Sequence, residues 1–151
     1  MLIRPVTKEE RLQSAKLLTI ESGDLTISAA DDAIHCDYTL QIGAEGTDGP
    51  AISITDCDEG LEAAALHVAS GDIRIRASDD CLNAANSDLS GFDFSMDISG
   101  GTISAYTTDG DGFDSNGSMT ISGGTPPEKP DGGTPPERPD NASEPPEPGN
   151  L

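Results

Sequence analysis

The chain has 151 residues and a formal net charge of −20, with 28 acidic residues against 8 lysines and arginines. Because contacts to a phosphate backbone need clustered lysine and arginine, this charge excludes nucleic acid as the expected partner and favours cations. The length suits one domain with a tail, and no apolar run reaches the length of a membrane span.

Residues 1–16 are predicted to form an N-terminal arm or a capping helix. A capping-box pattern, Thr7-Lys8-Glu9-Glu10, predicts a short helix from Glu9 to Leu18 that would cover the open end of the following domain. The segment lacks the apolar core of a signal peptide. We therefore expect either that the chain is not exported or that it comes from a truncated or mis-started gene.

Residues 17–124 change to an alternation of apolar and polar residues with a period of two. Short strands of one class lead into a glycine corner or a loop, and strands of a second class follow that corner. The first class begins at Leu18, Leu40, Leu66, Met96 and Met119, and the second at Leu25, Ile52, Ile73 and Ile103.

This repeat, at a spacing of roughly 20 to 30 residues, predicts an all-β fold, a parallel β-helix of about four coils. No helical period lies between the strands, so βαβ units are not expected. An antiparallel sandwich is the competing fold. It does not explain why the same short turn recurs at one point of every repeat.

The recurring turn places three kinds of residue in columns that run from coil to coil. The acidic column is Asp32, Glu59, Asp80 and Asp111; the apolar column is Ile34, Leu61, Leu82 and Phe113; the second polar column is His35, Glu62, Asn83 and Asp114. One extra residue precedes the turn in the fourth repeat and predicts a β-bulge.

Stacked carboxylates at this turn predict a bound cation. Neighbouring coils lie about 4.8 Å apart, and at an effective dielectric near 20 each adjacent pair of carboxylates would repel by about 3 kcal/mol. Oxygen ligands from Asp, Glu and Asn suit calcium, whereas His35 is a poor calcium ligand, so the first coil is expected to differ. Solvated acids are the alternative. The predicted calcium ligands are Asp32, Glu59, Glu62, Asp79, Asp80, Asn83, Asp111 and Asp114.

Three cysteines, Cys36, Cys57 and Cys81, lie in different columns of the repeat. Their odd number does not indicate a disulfide framework, and their spacing matches no zinc motif. We predict that they are small buried core residues.

Residues 125–151 hold nine of the eleven prolines and are predicted to be a disordered tail rich in Pro, Gly and Glu. Because the repeat stops after few coils, its ends are expected to be open. Self-association through those ends would cover them.

The turn segments resemble a known family. Asp31-Asp32-Ala33-Ile34-His35, Glu59-Gly60-Leu61-Glu62, Ser78 to Ala84 and Gly110 to Gly117 occur in order. Together they resemble the bacterial carbohydrate-binding family whose founding member is a clostridial cell-surface protein. The resemblance covers about Leu17 to Gly124, with Cys81 and Phe113 in place of the glycine and isoleucine usual in those turns.

The resemblance implies a right-handed parallel β-helix similar to that of pectate lyases. It also implies bound calcium, an acidic polysaccharide such as polygalacturonate as partner, and a location outside the cell or on its surface. The family's members are not established enzymes, so we predict a non-catalytic binding module. The alternatives are a fragment of a polysaccharide lyase and a structural or adhesive solenoid braced by calcium.

Arg74 and Arg76 are the candidate carbohydrate-binding residues. They alternate with Ile73 and Ile75 and should therefore face outward from one strand. Arginine binds carboxylates with two parallel hydrogen bonds, which suits a uronate. An ordinary solvent-exposed face is the alternative interpretation.

Overall fold

A computed structural model describes residues 12–125, which form twelve β-strands and no helix. The N-terminal residues 1–11 and the predicted tail from residue 126 onwards lie outside the described part. Within residues 12–125 no helix is long and apolar enough to cross a membrane. The strands are β1 (Leu12–Ser14), β2 (Leu17–Ile20), β3 (Asp24–Ser28), β4 (Ile34–Ile42), β5 (Ala51–Asp56), β6 (Leu61–Val68), β7 (Asp72–Ala77), β8 (Leu82–Ala84), β9 (Ser95–Ile98), β10 (Thr102–Thr107), β11 (Phe113–Ser115) and β12 (Ser118–Ile121).

Every pairing between the described strands is parallel, and the strands form three ladders. The first ladder is a four-stranded sheet in the order β3-β5-β7-β10. The second runs β1-β4-β6-β8-β11. The third pairs β2 with β4, β4 with β6, β6 with β9 and β9 with β12. The long strands β4 and β6 belong to both of these ladders. The predicted parallel β-helix of about four coils is confirmed.

The helix predicted from Glu9 to Leu18 is wrong for the residues that the structure describes. β1 pairs with β4 through Leu12 and Ile34, and β2 pairs with β4 through Leu18 and Leu40. A capping box is a local signal, whereas the edge of β4 offers backbone partners and a place for Leu12 against the core. Tertiary pairing therefore overrides the local propensity, and the ladders begin ahead of the predicted boundary at residue 17.

The core consists of apolar residues stacked from coil to coil in register. Ile34 lies beside Leu61, and Leu61 beside Leu82, in the second ladder, and all three side chains are fully buried. Phe113 continues this column in the last coil and is only partly buried. The predicted apolar column is therefore a ladder of plugs inside the solenoid.

A small residue precedes each plug because the coils approach closely there. A Cβ atom on Gly60 would lie 2.3 Å from the carbonyl oxygen of Cys81, closer than atoms can pack. Cys81 itself fits into the next coil, where its thiol lies 3.2 Å from the carbonyl oxygen of Tyr106. The three cysteines are buried free thiols, as predicted.

The fourth coil contains the predicted bulge. Thr107 pairs with Ala77 and Phe113 with Leu82, so six residues there (113 − 107) match five in the coil before (82 − 77). The extra residue is taken up around Asp109, whose N–H still donates to the carbonyl oxygen of Ser78 at 3.0 Å.

Residues 85–94 form a loop between β8 and β9 that the repeat pattern did not predict. The Phe92 ring lies 6.0 Å from that of Tyr38 and 5.6 Å from that of Phe94. Asn86 donates a side-chain hydrogen bond to the carbonyl oxygen of Asp37 at 2.9 Å. The loop is thus fixed against β4 next to the turn.

We expect Leu61→Ala to lower the free energy of unfolding by about 2–5 kcal/mol, because it leaves a cavity in the middle of the plug column. Leu17→Ala is the matched control, since Leu17 is 59% exposed, and it should change stability by less than about 0.5 kcal/mol. Urea unfolding followed by circular dichroism measures both. Equal losses in the two variants would contradict the assignment of the core.

Candidate metal centre

The polar residues of the turn stack in the columns that the sequence predicted. His35 pairs with Glu62, Glu62 with Asn83 and Asn83 with Asp114 along the second ladder. The acidic column is aligned by backbone hydrogen bonds of its neighbours. Ala33 donates to the carbonyl oxygen of Glu59 at 2.8 Å, Gly60 to that of Asp80 and Cys81 to that of Asp111, both at 3.0 Å.

His35 lies at the centre of a compact group of carboxylates. Its Nδ1 atom is 2.7 Å from Oε1 of Glu62 and 3.3 Å from Oδ2 of Asp32. On the other side of the ring, Nε2 is 3.0 Å from Oδ1 of Asp37. Asp32, His35 and Glu62 each offer one ligand atom, and these atoms all lie within 4.8 Å of one another.

The two nitrogens of His35 have different roles. An ionised carboxylate only accepts hydrogen bonds, so Asp37 is hydrogen-bonded in the tautomer that carries its hydrogen on Nε2. Nδ1 is buried and forms no hydrogen bond of acceptable geometry, despite its short distance to Glu62. In the neutral ring its lone pair therefore faces two carboxylates, an arrangement that a cation or a second proton would stabilise.

A second polar pair continues from this group along the column. Asn83 is buried, and its Nδ2 donates to Oε2 of Glu59 at 3.1 Å, while its Oδ1 is buried without a hydrogen-bond partner. Burial, together with a hydrogen bond that the protonated Glu59 carboxyl donates to Glu62, raises the pKa of Glu59 to about 8, although the Asn83 amide acts in the opposite direction. The Glu59 carboxyl thus keeps its proton near neutral pH.

The carboxylates of the outer part of the turn are more exposed. Asp80 accepts a 2.7 Å hydrogen bond from the backbone N–H of Asp111. The pKa of Asp79 is raised mainly by the charge of Asp80, with partial desolvation and the charges of Asp58, Asp109 and Asp111 adding to it. The fourth coil therefore adds negative charge next to a turn that already holds several acids.

The eight predicted ligands fall into three groups. Asp32 and Glu62 surround His35, and Glu59 contacts Asn83. The remaining four, Asp79, Asp80, Asp111 and Asp114, lie on the third and fourth coils. The position of His35 at the centre of these carboxylates was not predicted, and neither was its contact with Asp37. The signal was present, because His35 follows Asp32 by three residues and shares a column with Glu62.

No family model, curated protein or solved structure matches this chain. Functional assignment therefore rests on the fold and on the geometry of the turn. The resemblance to the carbohydrate-binding family stays a prediction.

We expect the apo protein, held in excess chelator, to lose stability as the pH rises from about 4.5 to about 8. The folded state holds the Glu59 proton more tightly than the unfolded state does. The stability that this proton contributes is therefore fully present below the pKa of the unfolded state, and it is lost as the pH rises through the pKa of the folded state. Because the carboxyl is only partly buried, the loss should be roughly 1 kcal/mol.

Glu59→Gln removes this titrating group with little change of shape, so its stability should vary less with pH over the same range. Urea unfolding at several pH values compares the two proteins. Parallel pH curves would show that Glu59 does not hold the proton.

Proposed function

We propose that this protein is a non-catalytic, calcium-dependent binding module for acidic polysaccharide such as polygalacturonate, acting outside the cell or on its surface. The observation that carries the proposal is the pair of outward-facing arginines on β7. Their face is an open sheet surface, and the carboxylate turn lies in the same coils. The solenoid fold and the resemblance of its turns support the same function.

Arg74 and Arg76 are both exposed on β7, while Ile73 and Ile75, which alternate with them, are buried. The guanidinium carbon of Arg76 lies 5.0 Å from the centre of the Tyr106 ring, which holds the charge over an aromatic face. Arg74 is 3.4 Å from Asp72, and both side chains are largely exposed, so this ion pair is weak. A ligand carboxylate could therefore replace Asp72.

Hydroxyl groups extend this face along the direction in which the coils stack. Thr26, Ser53, Arg74 and Ser104 pair in register, one residue per coil. Their spacing of about 4.8 Å suits repeated hydrogen bonds to an extended chain.

A shallow depression of about 330 Å³ beside this row is lined by residues that include Thr55, Arg76 and Tyr106. We propose that sugar hydroxyls lie along this row and that a uronate carboxylate contacts arginine.

Calcium would overcome the repulsion between this chain and an acidic ligand. From residue 17 to residue 124 there are two basic residues against about twenty acids. Side-chain oxygens of Glu59, Asn83, Asp80 and Asp111 supply the hard ligands that calcium prefers, and calcium tolerates irregular geometry. A bound ion would neutralise the stacked carboxylates and could also bridge to a uronate.

Lyase activity is the second candidate function, because such chemistry needs a base near calcium to remove a proton next to the uronate carboxyl. The contacts of Arg74 and Arg76 are with Asp72 and Tyr106 on their own sheet. A guanidinium is always charged in a protein and therefore cannot accept a proton. Absorbance of an unsaturated product during incubation with polygalacturonate and calcium would favour the lyase.

A structural or adhesive solenoid is the third candidate. It would need calcium only as a brace and would bind no pectin in a pull-down with or without chelator. Self-association through the coil ends also stays a prediction. Ile121, on the last coil, is 61% exposed, and such an apolar end would be covered in an assembly.

We expect the wild type to bind polygalacturonate in calcium and to lose binding in chelator. Replacing Arg74 and Arg76 together by Ala should weaken binding by at least about tenfold, because each lost charge-assisted contact contributes about 1.5–3 kcal/mol. Lys16→Ala is the control, since it removes an exposed positive charge from the connection between β1 and β2, away from β7. Affinity electrophoresis measures all three proteins. An equal loss in the control would indicate non-specific charge attraction.

Calcium at about a hundred times its Kd should stabilise the protein by roughly 2.7 kcal/mol per site. Asp80→Asn should reduce this gain while relieving repulsion in chelator, because an amide oxygen can still accept the Asp111 N–H. Unfolding with and without calcium measures both effects. Asp88→Asn, in the exposed loop, is the control. A similar loss for Asp80→Asn in both conditions would indicate a purely structural aspartate.

A further inference from the structure

The group of Asp32, His35 and Glu62 differs from the rest of the turn because it contains a nitrogen donor. Its three side chains are only 14–18% exposed, so the group is sheltered but still reachable from solvent. Calcium prefers six to eight oxygen ligands. One imidazole with two carboxylates is instead a donor set for zinc and other first-row transition dications.

His35 is also supported as a metal ligand would be. Metal-binding histidines usually donate the hydrogen of their second ring nitrogen to a carboxylate or carbonyl, which fixes the tautomer and directs the other nitrogen at the metal. Asp37 is in that position, 3.0 Å from Nε2. The opposite nitrogen, Nδ1, is the buried atom without an acceptable hydrogen bond. This support is independent of the acidity of the turn.

The spacing of the donor atoms is close to that of a coordinated ion. With metal–ligand bonds of about 2.0–2.2 Å, ligand atoms around a tetrahedral zinc lie about 3.3–3.6 Å apart. Nδ1 and Oδ2 of Asp32 are 3.3 Å apart, and Nδ1 and Oε1 of Glu62 are 2.7 Å apart. All three donor atoms lie within 4.8 Å of one another. Movements of about an ångström in the two carboxylate side chains would bring all three into contact with one ion, with water as a fourth ligand.

We infer that Asp32, His35 and Glu62 form a binding site for a transition-metal dication of the zinc class, oriented by Asp37. Asp32 and Glu62 were predicted as calcium ligands and are assigned here to a different ion. The site uses none of the oxygens of Glu59, Asn83, Asp80 and Asp111 that are proposed to hold calcium, and it does not depend on polysaccharide binding. The competing explanation is a second proton on His35, which would make the group a cluster of ion pairs that excludes metal.

The test is zinc titration of the full chain by calorimetry in saturating calcium, so that sites built only from oxygen are occupied. We expect one equivalent of zinc to bind. His35→Gln should weaken that binding by at least about tenfold, and Asp37→Asn by about 10–100-fold because it removes the orienting carboxylate. His67→Gln is the matched control and should bind as the wild type does, since His67, the only other histidine, lies 4.0 Å from one carboxylate.

Cobalt provides a spectroscopic test of the same ligand. Its visible absorption bands should appear on binding to the wild type and to His67→Gln, and they should be lost in His35→Gln. Circular dichroism establishes that each variant is folded, and Glu62→Gln replaces His35→Gln if that variant does not fold.

Three results would overturn the inference: no zinc binding in calcium, undiminished binding by His35→Gln, or equal losses in both histidine variants. Stability that depends on His35 without zinc binding would identify the protonated ion-pair cluster instead. Polygalacturonate binding is measured with calcium alone. Failure of the zinc site and failure of the proposed function are therefore distinguishable.

Discussion

Parallel pairing in register between successive coils is the constraint on which the rest of this structure depends. Each residue has the equivalent residue of the next coil about 4.8 Å away. Inside the solenoid this constraint is favourable, because Ile34, Leu61 and Leu82 form a continuous buried column. At the turn the same constraint brings acidic side chains together, where repulsion grows with every coil.

The structure offsets this repulsion in several ways. His35 and Asn83 stand on either side of Glu62 in the second polar column, so that acid has no stacked acidic neighbour there. The raised pKa of Glu59 keeps that carboxyl protonated near neutral pH, and Asp80 accepts a backbone N–H. The remaining negative charge makes the turn the part of the described chain best suited to cations. An imidazole at one end and amide and carboxylate oxygens further along would select different ions.

Much of this architecture follows from the sequence because the repeat is a direct image of the stacking. Residues in one column of the sequence pattern, such as Leu61 and Leu82, are partners in the ladder. The bulge near Asp109 was visible as one extra residue. The sequence also indicated the outward direction of Arg74 and Arg76, by alternation alone.

Other features depend on contacts that no repeat encodes. The helix predicted across Leu12 failed because a free strand edge outweighs a local capping signal. The loop 85–94 interrupts the repeat, and the ring contact of Phe92 with Tyr38 follows from how it folds back. The orientation of His35 depends on Asp37, which lies outside the repeated turn. Column position alone therefore identified the acids but not the residue at their centre.

X-ray diffraction from crystals grown with calcium and zinc, recorded on both sides of the zinc absorption edge, tests the central claim most directly. The account predicts an anomalous peak between Nδ1 of His35 and the carboxylates of Asp32 and Glu62 that changes across the edge. A second, edge-independent peak should lie among oxygen atoms further along the turn. The absence of both peaks would contradict the account. The carboxyl groups of the turn would then be hydrogen-bonded only to backbone groups, to water and to one another.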